Sequence, residues 1–463
     1  MFKKLNDRIN DMFEKRSFDN DFIDIQLSEK TTKKLLDYQL LHVYNLMSAL
    51  KKNKAVIDGS NTGTGKTYTS LAVANELGLQ PLIICPKNIM TAWKNVCEHF
   101  GITPLAVINY ETARNGCYYD DNGKRNKFKY LTKTEDGYKW NFANSDKVLI
   151  IFDEVHKCKN KSSLNGKLML STKGVCNTML LSATISDTPE NFHVFGYMVD
   201  LYNNLKQGKN WIQGILREDK NKLGKKSASS LNKHIFPAKG SRMNIADIGD
   251  KFPKNQISAE CYNSEKSAEK EIDKAYNTIK LAKSDTKDEN TLTKILHARQ
   301  LIEKTKVPII FELLEKYLES GKSIAVFVNF TDTLNEIKLQ LSSKDIKYAE
   351  IQGGQSEEDR ESNIKLFQLN QVKVIVCMMQ AGGQSISLHD VTGKYPRVSL
   401  ISPSWSAVEI VQALGRCHRQ GTKSPVLQRV VFCANTCEES VCKTIKEKLK
   451  FISKLTDDDL IKF

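Results

Sequence analysis

The chain has 463 residues, enough for two or three domains with cores of their own, and its 40% apolar and 27% charged residues fit a globular protein. No apolar run approaches the length of a membrane span, which leaves no reason to expect a membrane partner. Sixty-nine Lys and Arg against 54 Asp and Glu give a net charge of +15, a device for solubility or a footprint for a polyanion.

The N-terminal stretch from Met1 to Phe13 mixes acids with apolar residues and has no apolar signal core, so it reads as an amphipathic surface helix. Residues 35–44 form a second amphipathic helix, in which Gln39 either reads an adenine edge with its paired donor and acceptor or is a solvated helix residue. Ala55-Val-Ile57 is a short buried strand that breaks into a glycine-rich turn, and helical periodicity resumes near Lys66. Strand, glycine turn, Lys-Thr and helix together make a phosphate-binding loop. Gly63 and Gly65 let successive N–H groups around Thr64 converge on an anion, and the following helix adds the positive end of its dipole. Lys66 then reaches the outer phosphates of ATP, and the Thr67 hydroxyl ligates Mg²⁺. Ser60 stands where the strict pattern has glycine.

Pro81 to Cys85 is a second buried strand closed by Pro86, followed by a helix over 89–100, and residues 105–111 give a third strand. Between Tyr118 and Asp146 the sequence reads as an inserted hairpin turning at Asp121-Asn-Gly123, which either touches a phosphate backbone or is a solvated decoration. Val148 to Phe152 is a strand buried on both faces that delivers Asp153 and Glu154 at its carboxyl end, where open parallel sheets bind their ligands. Asp153 suits a metal held through water, and Glu154 suits orienting or deprotonating the attacking water. A further strand from Asn177 ends in Ser182-Ala-Thr184, whose hydroxyls can hydrogen-bond the acidic pair. This alternation of buried strands and helices is one RecA-like α/β domain.

Taken together, Ser60-Asn-Thr-Gly-Thr-Gly-Lys-Thr67, Asp153-Glu-Val-His156 and Ser182-Ala-Thr184 resemble motifs I, II and III of superfamily-two helicases. The extended acidic motif Asp153-Glu-Val-His-Lys-Cys-Lys-Asn160, and Cys85-Pro-Lys87 followed by Trp93, are similar to the Swi/Snf-type DNA translocases. Ser182-Ala-Thr184 departs from that branch, which usually has Gly-Thr-Pro there. The resemblance implies that His156, Ser182 and Thr184 couple the acids to the rest of the motor.

From about residue 191 to 304 the buried-strand rhythm stops, and basic and helical segments read as a linker with insertions. Arg242 with Phe252-Pro253 resembles the connecting segment of Swi/Snf-like motors. A second α/β unit follows, with strands over 323–329, 349–352 and 372–378. Gln380-Ala-Gly-Gly-Gln-Ser-Ile-Ser-Leu388, containing Gly382 and Gly383, is a turn feeding a short helix, and it resembles motif V, with Ser385 in place of a common glycine. On a helix over 411–421, Gln412, Arg416 and Arg419 at i, i+4 and i+7 project from one face. By itself that is a basic solvated face. The pattern resembles motif VI, which implies arginine fingers that stabilise charge on the γ-phosphate. Wording such as Gly382-Gly-Gln-Ser-Ile-Ser-Leu-His-Asp390 is also similar to helicase-like proteins of large DNA viruses.

The 11 cysteines are odd in number and scattered, and Cys433, Cys437 and Cys442 lack the second pair and histidines of a zinc site, so a reducing intracellular compartment is expected. Two RecA-like parallel-sheet domains in tandem are therefore expected: 1–195 binding ATP, 196–304 an insertion and linker, and 305–463 the second motor domain. The expected function is ATP hydrolysis with Mg²⁺ between the lobes, driving a motor on nucleic acid, with DNA ahead of RNA. The alternatives are an RNA helicase and a nucleotide switch acting on a polymerase or other protein partner. The resemblance to viral proteins extends the expected setting to a virion or an infected cell.

Overall fold

The computed structural model describes residues 27–447, apart from 120–123, 136, 186–188, 224–228, 244–254, 285–290, 380–385, 404–405, 420, 437, 440–441 and 446. The expected N-terminal helix, the turn at Asp121-Asn-Gly123, Phe252-Pro253, and Gly382 and Gly383 lie outside the described residues.

Two six-stranded parallel sheets dominate the chain. The first draws on β1 (Ala55–Asp58), β2 (Gln80–Cys85) and β3 (Ala106–Asn109). Two antiparallel ribbons follow, β4 (Cys117–Tyr119) with β5 (Arg125–Lys127) and β6 (Leu131–Lys133) with β7 (Tyr138–Trp140). The sheet then resumes with β8 (Val148–Asp153), β9 (Asn177–Leu181) and β10 (Gly240–Ser241). The second sheet is built from β11 (Asn255–Tyr262), β12 (Ser323–Val328), β13 (Tyr348–Ile351), β14 (Val374–Met378), β15 (Arg397–Ile401) and β16 (Val426–Cys433). The strand orders are β10-β1-β9-β8-β2-β3 and β11-β16-β15-β12-β14-β13.

These strands are parallel because helical crossovers join them, and they read as unbroken apolar runs because helices cover both faces. Alternation along each strand divides its side chains between two cores. Ile150 and Phe152 of β8 enter one, Leu149 and Ile151 the other. In β12 the split is Ala325 and Phe327 against Ile324, Val326 and Val328. Register then builds the functional rim. Asp58 and Asp153 both pair with Leu181, so the ends of β1, β9 and β8 lie level.

The inserted segment is two ribbons rather than one hairpin. Phe128, Leu131 and Trp140 sink into the first core, Trp140 stacks on Phe142, and its indole N–H donates to Ser171 Oγ at 2.9 Å. Those apolar anchors hold the second ribbon down, while the cations of β5 stay at the surface.

The stretch read as a linker is shared between the lobes. Helices Leu205–Leu223 and Ser229–Ile235 add Ile212, Ile215, Leu231 and Ile235 to the first core, and β10 extends the first sheet. Strand β11 pairs with β16 along its whole length, and helices Lys266–Ser284 and Thr291–Thr305 place Ile272, Ile279 and Ile302 in the second core. Sequence periodicity missed β10 because it has two residues, and β11 because it is an edge strand with polar positions. Lys306, at the start of helix Val307–Glu319, forms a buried ion pair with Glu438 at 2.7 Å, which binds the tail to the second lobe. Among the described residues, no helix is long and apolar enough to cross a membrane.

Candidate active site between the lobes

At the end of β1 the chain enters the phosphate loop, and Gly63 (φ 81°) and Gly65 (φ 94°) take left-handed conformations that a side chain would strain. Gly65 caps helix Lys66–Glu76 with no side-chain bond to its first turn, leaving that helix end suited to an anion. Lys66 Nζ lies 3.0 Å from Ser60 O and 3.1 Å from Asn61 O, folded over the loop it belongs to. Gln39 is buried. Its Nε2 donates to Thr64 O at 2.9 Å, and its Oε1 accepts from Leu36 N at 2.9 Å. Each end of that carboxamide thus has a partner within the chain, and one of the two is in the phosphate loop.

Asp153 ends β8 and is buried beside the loop. Its Oδ1 accepts from Glu154 N, and its Oδ2 accepts from the indole N–H of Trp93 at 2.9 Å. Tyr110 O–H donates to the Asp153 carbonyl at 2.8 Å. Glu154 sits at φ 54°, a left-handed backbone that costs a non-glycine residue about 1–3 kcal/mol, and this bend swings its carboxylate out of the strand. There it meets His156 Nδ1 at 3.3 Å, and the same nitrogen lies 3.3 Å from Ser182 Oγ. Ser182 Oγ in turn accepts from Thr184 N, while Ser182 N donates to the Asp58 carbonyl.

The second lobe closes the arrangement. Helix Ala407–Cys417 carries Gln412, whose Nε2 lies 3.3 Å from Glu154 Oε2 and 3.4 Å from His156 Nε2. Arg416, one turn on, is buried within electrostatic reach of Glu154 and Asp153. A Cβ added at Gly415 would come within 2.6 Å of Thr62 Cβ, so this helix lies directly on the phosphate loop. Arg419 does not share the face of Gln412 and Arg416. The helix ends at Cys417, His418 turns extended (φ −118°, ψ 107°), and Arg419 Nη1 instead binds Ile386 O at 3.1 Å and Ser387 Oγ at 2.6 Å.

Charge separates the two acids. Burial, with the neighbouring Glu154 carboxylate, pushes Asp153 up to about 6. Burial acts the same way on Glu154, but the hydrogen bond and charge of His156, with Lys66 and Arg416, outweigh it and hold Glu154 down to about 2. Burial and then Arg419 push Arg416 down to about 10. A buried carboxyl raised toward neutrality is one that a divalent cation would relieve, so Asp153 fits Mg²⁺. The second carboxylate stays ionised at neutral pH, its Oε2 facing Gln412 and His156.

Trp93, Tyr110, His42 and Asp58 are functional neighbours that the linear motifs left without roles. Trp93 carried a motif signal but no geometry, and the other three had none: Trp93 and Tyr110 meet Asp153 across dozens of residues, and His42 meets Asp58 from a separate helix.

A nucleotide loop on one RecA-like sheet, answered by an arginine and a glutamine from a second, defines a tandem-lobe ATPase of the helicase type. Residues 32–187 match the family described as type III restriction enzyme, res subunit, and residues 305–421 match the helicase conserved C-terminal domain. A provisionally named ATP-dependent RNA helicase of Acanthamoeba polyphaga mimivirus is 37% identical over 94% of this chain and 86% of its own length. An uncharacterised ATP-dependent helicase of Mycoplasma pneumoniae is 25% identical over 99% of the chain, which spans 45% of that protein. The mouse chromodomain-helicase-DNA-binding protein 1-like is 22% identical over 92% of the chain and 50% of its own length. The Sulfolobus solfataricus SWI2/SNF2 ATPase core in complex with dsDNA aligns with 94% of the chain and 96% of its own at 16% identity and a TM-score of 0.38. The chain belongs to the ATP-dependent helicases, and it is an ATP-hydrolysing enzyme.

Proposed function

We propose that this protein is a Swi/Snf-like DNA translocase that hydrolyses ATP at the lobe interface. The observation that carries this is the reach of Gln412, on the second lobe, to Glu154 and His156 on the first. A centre completed from both sides ties hydrolysis to lobe motion.

In this reading the backbone of Gly63, Thr64 and Gly65 cradles the phosphates with Lys66, and Gln39 keeps the loop in shape through Thr64. Thr67 and Asp153 hold Mg²⁺, which when bound neutralises charge on the phosphates. Trp93 and Tyr110 fix Asp153 in place. Glu154 orients the attacking water and takes its proton, and His156 keeps that carboxylate ionised and aimed. Arg416 stabilises the charge that develops on the γ-phosphate, as arginine fingers do. Arg419 orders residues 386–387 against the motif VI segment and so supports Arg416. Ser182 and Thr184 carry the state of the acids to β9, and Gly382 and Gly383 would couple to them by gripping the phosphate backbone of the bound strand or by sensing the nucleotide.

We assign residues 27–243 to the first lobe and 255–447 to the second, on the division of the two cores. Nucleic acid would occupy the cleft of ≈ 1050 Å³ that crosses both lobes, where Lys87, Lys157 and Arg360 offer charge to phosphates. A neighbouring hollow shares Lys87 and adds Arg125 of the ribbon β4–β5, so the insertion flanks the same track. The mimivirus relative's name favours RNA, and the mouse relative's name favours DNA. The mimivirus relative also supports a viral origin, with the buried free thiols suiting a reducing compartment.

Steady-state ATP hydrolysis, measured alone and with duplex DNA, single-stranded DNA or structured RNA, tests the reading. Strong stimulation by duplex without strand displacement is expected. Stimulation confined to RNA would replace it with an RNA helicase, and no stimulation by any nucleic acid would overturn the motor altogether.

A further inference from the structure

Ser60, the residue that departs from the glycine of the strict phosphate-loop pattern, is fully buried and its polar atoms reach four parts of the molecule. Its N–H donates to Asp58 Oδ1 at 3.0 Å, and its carbonyl accepts from Lys66 Nζ at 3.0 Å. Its Oγ accepts from Met243 N at 3.0 Å and lies 3.3 Å from His42 Nε2. His42, on helix Asp37–Lys52, lies 3.1 Å from Asp58 Oδ2 through the same nitrogen and 2.9 Å from Ser241 Oγ through Nδ1. Burial pushes the Asp58 carboxyl up, but His42 beside it outweighs that and holds it below its ordinary range. A glycine at position 60 would keep the loop's backbone path and lose the tie to Met243.

The backbone tells the same story. Ile57 N donates to Lys239 O, Gly59 N to Ser241 O and Asn61 N to Met243 O, so the ladder runs past the end of β1 and into the phosphate loop. Arg242 Nε adds a bond to Gly59 O at 3.1 Å. Among the described residues, 239–243 are the last that bond to the first sheet, and Asn255 is the next in a sheet, in the second lobe. The segment leading from one lobe to the other is thus hydrogen-bonded to the loop that grips the nucleotide.

We propose that Ser60 is a positioning residue that ties the phosphate loop to the inter-lobe segment 239–243, with His42 and Asp58 as its supports, so that a change at Lys66 is passed toward the second lobe. Lys66 has two sets of partners open to it, the carbonyls of Ser60 and Asn61 and the oxygens of a phosphate. Exchanging one set for the other changes the load on the two residues that bind Met243. This rests on the ATP-driven motor proposed above and names a route by which its loop and its second lobe communicate.

The test compares Ser60→Gly, Ser241→Ala and the double variant by nucleic-acid-stimulated and unstimulated kcat, KM for ATP and thermal unfolding. Ser241 lies outside the nucleotide site, so Ser241→Ala keeps unstimulated hydrolysis and KM. Each single variant is expected to lower the stimulation factor by about fivefold or more, the usual span of an inter-site coupling. Because both cut one chain of contacts, the double variant should be no worse than the more severe single one. Stimulation factors equal to wild type overturn the inference, as does a loss explained by KM or by unfolding alone. Should Ser60→Gly fail to fold, Ser241→Ala decides by itself. A wild-type enzyme that no nucleic acid stimulates would instead overturn the motor itself, so the two failures are distinguishable.

Discussion

The two lobes share an architecture and divide the charge. Each is a six-stranded parallel sheet with helices on both faces. The rim of the first carries the phosphate loop with the acids Asp153 and Glu154, and the facing helix of the second carries Gln412 and Arg416. Neither half is comfortable alone. Asp153 is an acid raised by burial, and Arg416 is a guanidinium lowered by burial that Glu154 and Asp153 offset from across the interface.

If the division of charge is right, the largest effect should come from the second lobe. Arg416→Ala should lower kcat by about a thousandfold or more while the first lobe still binds nucleotide, as measured by turnover and by fluorescent-nucleotide titration. Retained turnover would mean that the lobes do not share the chemistry. Glu154→Gln should cost about a hundredfold to ten-thousandfold in kcat with ATP affinity kept, since that carboxylate acts on water and not on the nucleotide. Gly415→Ala probes the contact and removes no charge. Its methyl group would press on Thr62, and a displacement near 1 Å should cost about a hundredfold in kcat, with normal nucleotide binding. The smallest effect should lie deepest in the first lobe. Trp93→Phe removes the indole bond to Asp153 and should weaken Mg²⁺ affinity by about ten- to a hundredfold, read from the Mg²⁺ dependence of hydrolysis, leaving saturated kcat near normal.

Much of this was legible in the linear chain, and the reason is local. A phosphate loop needs glycines, a lysine and a hydroxyl within a few residues, and β8 needs an apolar run that ends in acids, so neighbours in sequence suffice to see them. The helix carrying Gln412 and Arg416 was legible too, but its bounds were not, 411–421 being expected and 407–417 found. Periodicity placed Arg419 on the face of Arg416, and the structure turns the chain at His418, sending Arg419 to Ser387. Strand β11 went unread because it is an edge strand whose partner, β16, lies far along the chain, and alternation is weak where only one face is covered. Gln39 illustrates a different loss. Its residue type admits an adenine reader or a solvated surface group, and only burial against Thr64 shows a third use.

The sequence by itself determined the elements and their chemistry: buried parallel strands, a phosphate loop, a pair of acids and a basic helix, because each is set by periodicity or by side chains a few bonds apart. Tertiary structure decided which of them meet. Gln412 reaches Glu154, Trp93 reaches Asp153, and Ser60 reaches Met243 through contacts between residues from 60 to 258 positions apart, and no local pattern carries that information. The physical reason is that packing the four cores fixes the register of the strands and the placement of the lobes, and the site is what that packing leaves at their common rim.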